Sequence, residues 1–541
     1  MMTPRRRFYF KLTAISLPFI VFFLAEIIFR LVGIGRPPFQ DPYILLYSPS
    51  SIFKRVSVNG EACLRVRWTQ LYSNRNIEIP EKKPAGKIRV FCVGGSASAG
   101  WPHPQEHAYT SYLNEALKVT FPNKSFEIYN VSGHAYGSNR VRLVFEELIE
   151  LEPDLMIIYS GCNEFLEERF YQTPTRLSET VSKIANFFRL SRVYSWTEGK
   201  ILKKIDPKSA LPADRRSKNR KNIQSRVFQR ELDLRKNPEQ FAKVLEHYEF
   251  NIKEMIRLAK EKKVPVLLLT DPSNIKDWKP NVSSHQEGLS SLESWNSLYK
   301  EGRRLLFESR YIEALPIWKK AIELDPQYAE SHFWLGTCYF QLKEYPEARK
   351  AFLQAVYLDY NPFRALSIMN DTLRRLAVET SVTLVDLEQS FSDATHGCPG
   401  YDLFLDYVHP TATGNLIIVR NILERLQTQE IFGKSSIPLP ENFVPALKTY
   451  DEEKDTCVLH STLFVCGMMH QYEKMIEVAQ KLLPLAQETA KEISQDTLDI
   501  FPLYLEIQKN EIYDLPVPNK EEILKKIQDF YRKPDYKYYA E

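Results

Sequence analysis

Five short runs rich in β-branched and aromatic residues set the tightest limit on what this chain can fold into: Lys87 to Val93, Phe126 to Val131, Leu155 to Ser160, Val264 to Thr270 and Thr383 to Leu387. Runs this apolar suit strands buried on both faces, the condition of a parallel sheet covered by helices. Between the second and third, Val141, Val144, Phe145, Leu148 and Leu151 recur at helical spacing, and Pro153 stops the helix. Strands alternating with helices imply an α/β fold, a doubly wound parallel sheet between two helical layers. Such sheets bind ligands at the carboxyl ends of their strands. Chemistry is therefore expected in the residues just after each strand.

The chain has 541 residues, more than one hydrophobic core usually supports, so further units are expected. The N-terminus supplies one. Arg5, Arg6, Arg7 and Lys11 precede a largely apolar stretch from Leu12 to Ile34 that is long enough to cross a bilayer. This reads as a basic cytoplasmic tail (1–11) followed by a transmembrane signal anchor (12–35), with Glu26 and Arg30 four apart and able to pair. The basic flank places everything beyond it outside the cytoplasm, in the periplasm if the source is bacterial. Residues 36–85 read as a linker. Lys200 to Lys236 is dense in Lys and Arg; its readings are a solvated excursion or a groove for an anionic polymer or lipid headgroups. The net charge of +4 is small for this length and argues neither for nor against nucleic acid, but the absence of an RNP motif, zinc-finger spacing or basic zipper speaks against it. Seven cysteines without a CxxC pair signal neither a zinc site nor a disulfide framework; Cys457 and Cys466 either pair or serve as core thiols.

A repeat with a period of 34 lies between the fourth and fifth strands: Gly302/Gly336, Tyr311/Tyr345, Ala314/Ala348, Trp318/Phe352, Ala321/Ala355 and Asp325/Asp359. Residues 295–362 thereby resemble two tetratricopeptide repeats, helix pairs in which small residues let the helices approach closely. Pro326 ends the first unit as that motif expects, and Tyr360 replaces the second proline. Two units are fewer than a free-standing solenoid needs, so they are expected to stack on the α/β domain or on C-terminal helices, as a packing insertion or as a platform for a protein partner. Residues 428–541 read as helical, with an apolar helix near Tyr472 to Leu483 and a polar tail.

Three strand ends and one late loop carry the candidate chemistry. The first strand breaks into Gly94, Gly95, Ser96; the second ends in Ser132, Gly133, His134, Ala135, Tyr136; the third ends in Gly161, Cys162, Asn163, Glu164; and Asp406, Tyr407, Val408, His409, Pro410 comes last. A serine on a tight glycine turn can offer its hydroxyl and its own N–H to a substrate carbonyl. The lysine of a phosphate loop is absent. His103, His107 and His134 match no zinc spacing.

These four ordered blocks resemble the SGNH (GDSL-like) hydrolases over residues 86–290 and 363–427, and "YSGCNEFLEER" and "DPSNIKDWKP" resemble the bacterial subgroup that couples this hydrolase to tetratricopeptide repeats. The resemblance implies a flavodoxin-like three-layer sandwich. It also implies Ser96 as nucleophile, His409 as base oriented by Asp406, and an oxyanion hole from Ser96, Ala135 and Asn163, Gly133 being the alternative to Ala135. Three departures stand out: Gly95 where many members have aspartate, Ala135 where glycine is usual, and Glu164 where aspartate is commoner. The expected activity is hydrolysis of an ester, in an acylated saccharide or a lipid, without metal or cofactor. The alternatives are acyl transfer to envelope polysaccharide and a non-catalytic scaffold built on the repeats.

Overall fold

The computed structural model describes residues 4–32, 53–66, 77–166, 191–194, 196–197, 237–435, 437–438, 450–469 and 471–485, and four positions between 519 and 525. The basic run at 200–236 and the polar tail expected at the C-terminus lie outside the described residues, apart from those four positions. Two compact units result: residues 1–54 with 168–227, and the remainder.

In the first unit α1 (Pro4–Val32) presents Phe19, Phe23 and Leu31 outward. Glu26 pairs with Arg30 at 2.8 Å, as the four-residue spacing allows. Its carboxylate also accepts from the Ser191 hydroxyl at 2.8 Å and the Arg192 and Val193 N–H groups at 3.0 and 3.1 Å, capping the turn that starts there. The transmembrane span expected at 12–35 is not reproduced as such. Among the described residues no helix is long and apolar enough to cross a membrane. The described side chains of α1 begin at Ser16 and include the charged pair.

The linker reading lacked one feature, a three-stranded sheet of β1 (Phe53–Val58), β2 (Glu61–Val66) and β3 (Glu78–Pro80), with β2 and β3 antiparallel. The two-residue turn between β1 and β2 is Asn59-Gly60, with φ of 49° and 86°. Positive φ at both positions is what a type I′ hairpin turn requires.

All five expected strands form. The chain runs through β4 (Lys87–Gly94), α2 (Ser96–Ala99), α3 (Tyr109–Thr120), β5 (Ser125–Asn130), α4 (Ser138–Leu148), β6 (Leu155–Tyr159), α5 (Pro238–Lys262) and β7 (Val266–Leu269). The repeat helices α6 (Leu292–Phe307), α7 (Tyr311–Leu324), α8 (Ala329–Gln341) and α9 (Tyr345–Leu358) follow. The chain then returns through α10 (Ser367–Thr380), β8 (Thr383–Val385), α11 (Leu387–Asp393) and α12 (Ala412–Thr428), and ends in α13 (Thr456–Met468) and α14 (Tyr472–Leu482).

The sheet order is β5-β4-β6-β7-β8, parallel throughout. Counting only its own strands, this is 2-1-3-4-5, the flavodoxin-like order whose switch point lies beside the first strand. One face of β4 gives Val90 and Cys92 to a core with Leu113, Leu117, Ile418 and Ile422 from α3 and α12. Helices α4, α5 and α10 pack on the other side.

The repeats stack on the α/β domain itself. A Cβ added to Gly302 would come within 2.7 Å of the Trp318 ring, and one on Gly336 within 2.7 Å of the Phe352 ring. The recurrent glycine and aromatic are thus one close helix contact, made twice. The recurrent aspartates also have a use. Asp359 accepts from the N–H groups of Asn281 (2.8 Å) and Val282 (3.1 Å), and Asp325 binds His285 Nδ1 at 2.7 Å. Both carboxylates therefore clasp the loop that leaves β7. Trp318 is wholly buried in this contact; Trp318→Ala is expected to destabilise the repeat region by about 3–5 kcal/mol, read as a lowered midpoint in denaturant unfolding.

Candidate active site

Strand β4 delivers Ser96 to the switch-point crevice, and the turn that follows is made by its own backbone: Ala99 N–H donates to Gly95 O at 2.9 Å and Trp101 N–H to Ser96 O at 3.1 Å. Ser96 is thereby the first residue of α2. The last block arrives from the far end of the domain, 313 residues later in sequence, and places His409 Nε2 2.8 Å from Ser96 Oγ. On the other side of the imidazole, Nδ1 lies 2.6 Å from Asp406 Oδ2. A carboxylate oxygen only accepts, so Nδ1 carries the proton and Nε2 is left to accept from the serine hydroxyl. Asp406 is fixed in turn, because its Oδ1 accepts from the Val408 and His409 N–H groups, both at 2.9 Å. All three side chains are buried. The edge of the Trp101 indole closes on the His409 ring with centroids 4.4 Å apart.

The remaining expected residues gather at the same edge. Asn163 donates from Nδ2 to the Tyr136 carbonyl at 3.1 Å, so the third strand end is tied to the second. Its amide also lies over Gly95: a Cβ there would sit 2.4 Å from Asn163 Nδ2. That contact accounts for the departure at Gly95, since an aspartate in this arrangement would displace Asn163. The choice between Gly133 and Ala135 is narrowed as well. Gly133 N–H is already spent on the Gly94 carbonyl at 3.0 Å. Ala135 adopts φ of +58°, the left-handed conformation in which glycine is usual.

Glu164 has a positioning use. It accepts from Ser138 N–H at 2.7 Å and from the Ser138 hydroxyl at 2.6 Å, tying the loop that carries Asn163 to the start of α4 just after Ala135. Asp271, at the end of β7, accepts from Cys162 N–H at 2.8 Å and so holds the same loop from the other side. Burial pushes the Asp271 carboxyl up to about 7.

The three additional histidines form no metal centre; among the described residues no group of three or more His, Cys, Asp or Glu side chains could hold an ion. His103 instead staples two loops. Its Nε2 is 2.9 Å from the Pro410 carbonyl and its Nδ1 2.9 Å from Tyr450 Oη. The carbonyl demands a donor, so His103 is the neutral Nε2–H tautomer, and burial holds it down to about 4. His107 stacks on the Tyr450 ring at 3.5 Å. His134 meets the Trp101 ring in a T-shaped contact, with centroids 5.4 Å apart, and is also held down to about 4 by burial, with the neighbouring His409 and Arg140 adding to it.

The sequence reading gave residues 428–541 no chemistry, yet Tyr450 touches both loop histidines and Glu452 accepts from Ala412 N–H at 2.8 Å, at the start of α12. Cys457 is exposed and Cys466 buried, and the disulfide considered between those two is not formed. Trp101, Asn274 and Asp271 were also missed as site residues. Only "DPSNIKDWKP" flagged two of them, as an unassigned resemblance.

A tetratricopeptide repeat family matches residues 299–362. No curated protein matches. Similar solved structures include an acetylxylan esterase from Geobacillus stearothermophilus, in a catalytic-mutant form, at 12% identity over 63% of this chain and 94% of that one, TM-score 0.29. Others are an acetyl xylan esterase at 11% identity over 62% and 98%, TM-score 0.29, and an alpha/beta hydrolase from the metagenome of Lake Arreo, Spain, at 12% over 62% and 94%, TM-score 0.29. At these TM-scores the likeness assigns no activity to this chain.

Two stability measurements test the geometry. Ala135→Gly removes the left-handed strain and is expected to raise stability by about 1 kcal/mol in chemical denaturation. For Asp271 the folded-state value is raised, so the unfolded chain releases its proton first and stability falls as pH rises from about 4 to about 7. Asp271→Asn should flatten that slope in unfolding curves taken across this range.

Proposed function

We propose that this chain is a serine esterase of the SGNH type, and the observation that carries the reading is the unbroken chain from Ser96 Oγ through His409 to Asp406. A serine hydroxyl is a weak nucleophile until a base takes its proton as it attacks. His409 Nε2 is placed to do so, and the Asp406 carboxylate fixes its tautomer and stabilises the imidazolium that forms.

Attack of Ser96 Oγ on the ester carbonyl carbon pushes the π electrons onto oxygen. The Ser96 and Ala135 N–H groups and the Asn163 amide are the donors assigned to that oxyanion. On collapse the alkoxide leaves with the proton held by His409, giving an acyl-Ser96 intermediate. Water, deprotonated by the same imidazole, then releases the acid and restores the serine. Transfer to a sugar hydroxyl would use the same intermediate with a different acceptor. The apolar, basic-flanked N-terminus supports a membrane-anchored enzyme with its catalytic domain outside the cytoplasm. The repeats would offer a face to a protein partner.

Fluorophosphonate labelling of the purified protein tests the core of this reading. Wild type is expected to label and to release acid from p-nitrophenyl acetate; Ser96→Ala should do neither. Asn163→Ala should lower kcat by about 10²–10³-fold and His409→Ala by about 10²–10⁴-fold. A well-folded wild type that does not label sinks the proposal. A rate that appears only on adding a sugar acceptor would reassign the activity to acyl transfer.

A further inference from the structure

Asp406 is held at its carboxylate by the block it belongs to, but its backbone is held from elsewhere. Asn274, wholly buried, donates from Nδ2 to the Asp406 carbonyl at 3.1 Å and from its N–H to the Tyr407 carbonyl at 3.0 Å. Its Oδ1 accepts from Asp277 N–H at 2.9 Å, which fixes the amide orientation. Asn274 is itself held by Arg364, whose Nη1 donates to the Asn274 carbonyl at 2.8 Å and to the Trp278 carbonyl at 2.7 Å. Arg364 is 1% exposed, and its charge is met by Asp359, 3.6 Å away and itself buried.

A buried ion pair is a costly way to fill a core, since apolar residues of similar volume are often at least as stable. What this pair does that apolar side chains cannot is hold two loop carbonyls from one side. The same loop grips the catalytic acid from the other. We infer that Asn274, locked by the Arg364–Asp359 pair at the end of the second repeat, is the positioning residue for Asp406, so that the inserted repeats form part of the catalytic mount. This inference rests on the serine-esterase reading.

The test is a double-mutant cycle on p-nitrophenyl acetate hydrolysis by the full chain. Asn274→Ala and Arg364→Met should each lower kcat by about 10-fold or more with KM unchanged, as loss of alignment does. Arg364→Lys, which keeps the charge, should recover most of the rate. In an Asp406→Asn background the same substitutions should cost under about 2-fold, because what they position is already gone. Losses that multiply with that of Asp406→Asn, or an unchanged kcat in Asn274→Ala, would overturn the inference. Should Arg364→Met fail to fold, Asn274→Ala and Arg364→Lys still decide it. If wild type hydrolyses nothing, the esterase reading fails by itself. The brace is then read from the low-field proton resonance of His409 Nδ1–H, which should shift or vanish in Asn274→Ala; an unchanged resonance overturns it.

Discussion

Everything at the site hangs on one carboxylate. Asp406 accepts three donors within four residues of chain, from the N–H groups of Val408 and His409 and from the His409 ring. Two of these bonds shape the turn and the third sets the tautomer. Each of these donors offsets part of the hydration that the carboxylate loses on burial. Without it the imidazole could rotate or carry its proton on the wrong nitrogen, and Ser96 would be an ordinary buried hydroxyl.

The second requirement is that four loops from separate strand ends keep their relative places. Apolar packing cannot supply this, since a loop backbone presents N–H and C=O groups that need partners. Here the partners are side chains of neighbouring loops. Asn163 reaches the Tyr136 carbonyl, Glu164 takes two hydrogens of Ser138, Asp271 takes the N–H of Cys162, and His103 reaches the carbonyl after His409. Each bond satisfies a backbone group and at the same time fixes one loop against another. The two buried acids in this set serve different ends: Glu164 faces a helix start, which favours negative charge, while Asp271 has a single backbone donor and is driven toward its neutral form.

The strands were legible because a strand buried on both faces is largely apolar; β6 and β7 are so throughout, and β4 is broken only by Lys87 and Arg89. Their ends were less so. The run expected over Val264 to Thr270 forms a strand only from Val266 to Leu269, and the Thr270 hydroxyl donates to the Asp386 carboxylate at 3.0 Å. The sequence could single out Ser96, Ala135, Asn163, Asp406 and His409 because strand ends of this fold are where ligands bind, and the structure brings Ser96, His409 and Asp406 within hydrogen-bond distance of one another. The small antiparallel sheet was missed although Asn59-Gly60 is a strong hairpin signal; its flanking strand is mostly exposed and polar, so the hydrophobic pattern that revealed the others is absent. The braces were not legible at all. Asn274 and Asp406 are 132 residues apart, and a bond from a side chain to a distant carbonyl leaves no mark on spacing or composition.

The insertion of the repeats between β7 and β8 adds to the distance from serine to histidine, and its place explains why two repeats suffice. A helical repeat needs neighbours to cover its ends. Here the α/β domain supplies them. The loop after β7 is clasped by Asp325 and Asp359, and residues after α11 meet α9, where His396 stacks on Tyr345 at 4.8 Å and Arg349 reaches the Gly397 carbonyl at 2.6 Å. The recurrent aspartates are therefore bound to different partners despite equivalent places in the repeat. One meets a histidine side chain and the other a buried arginine that continues, through Asn274, to the loop of Asp406. A feature that began as repeat periodicity has become asymmetric where it touches the site, as a mount must be when it serves only one of two similar units.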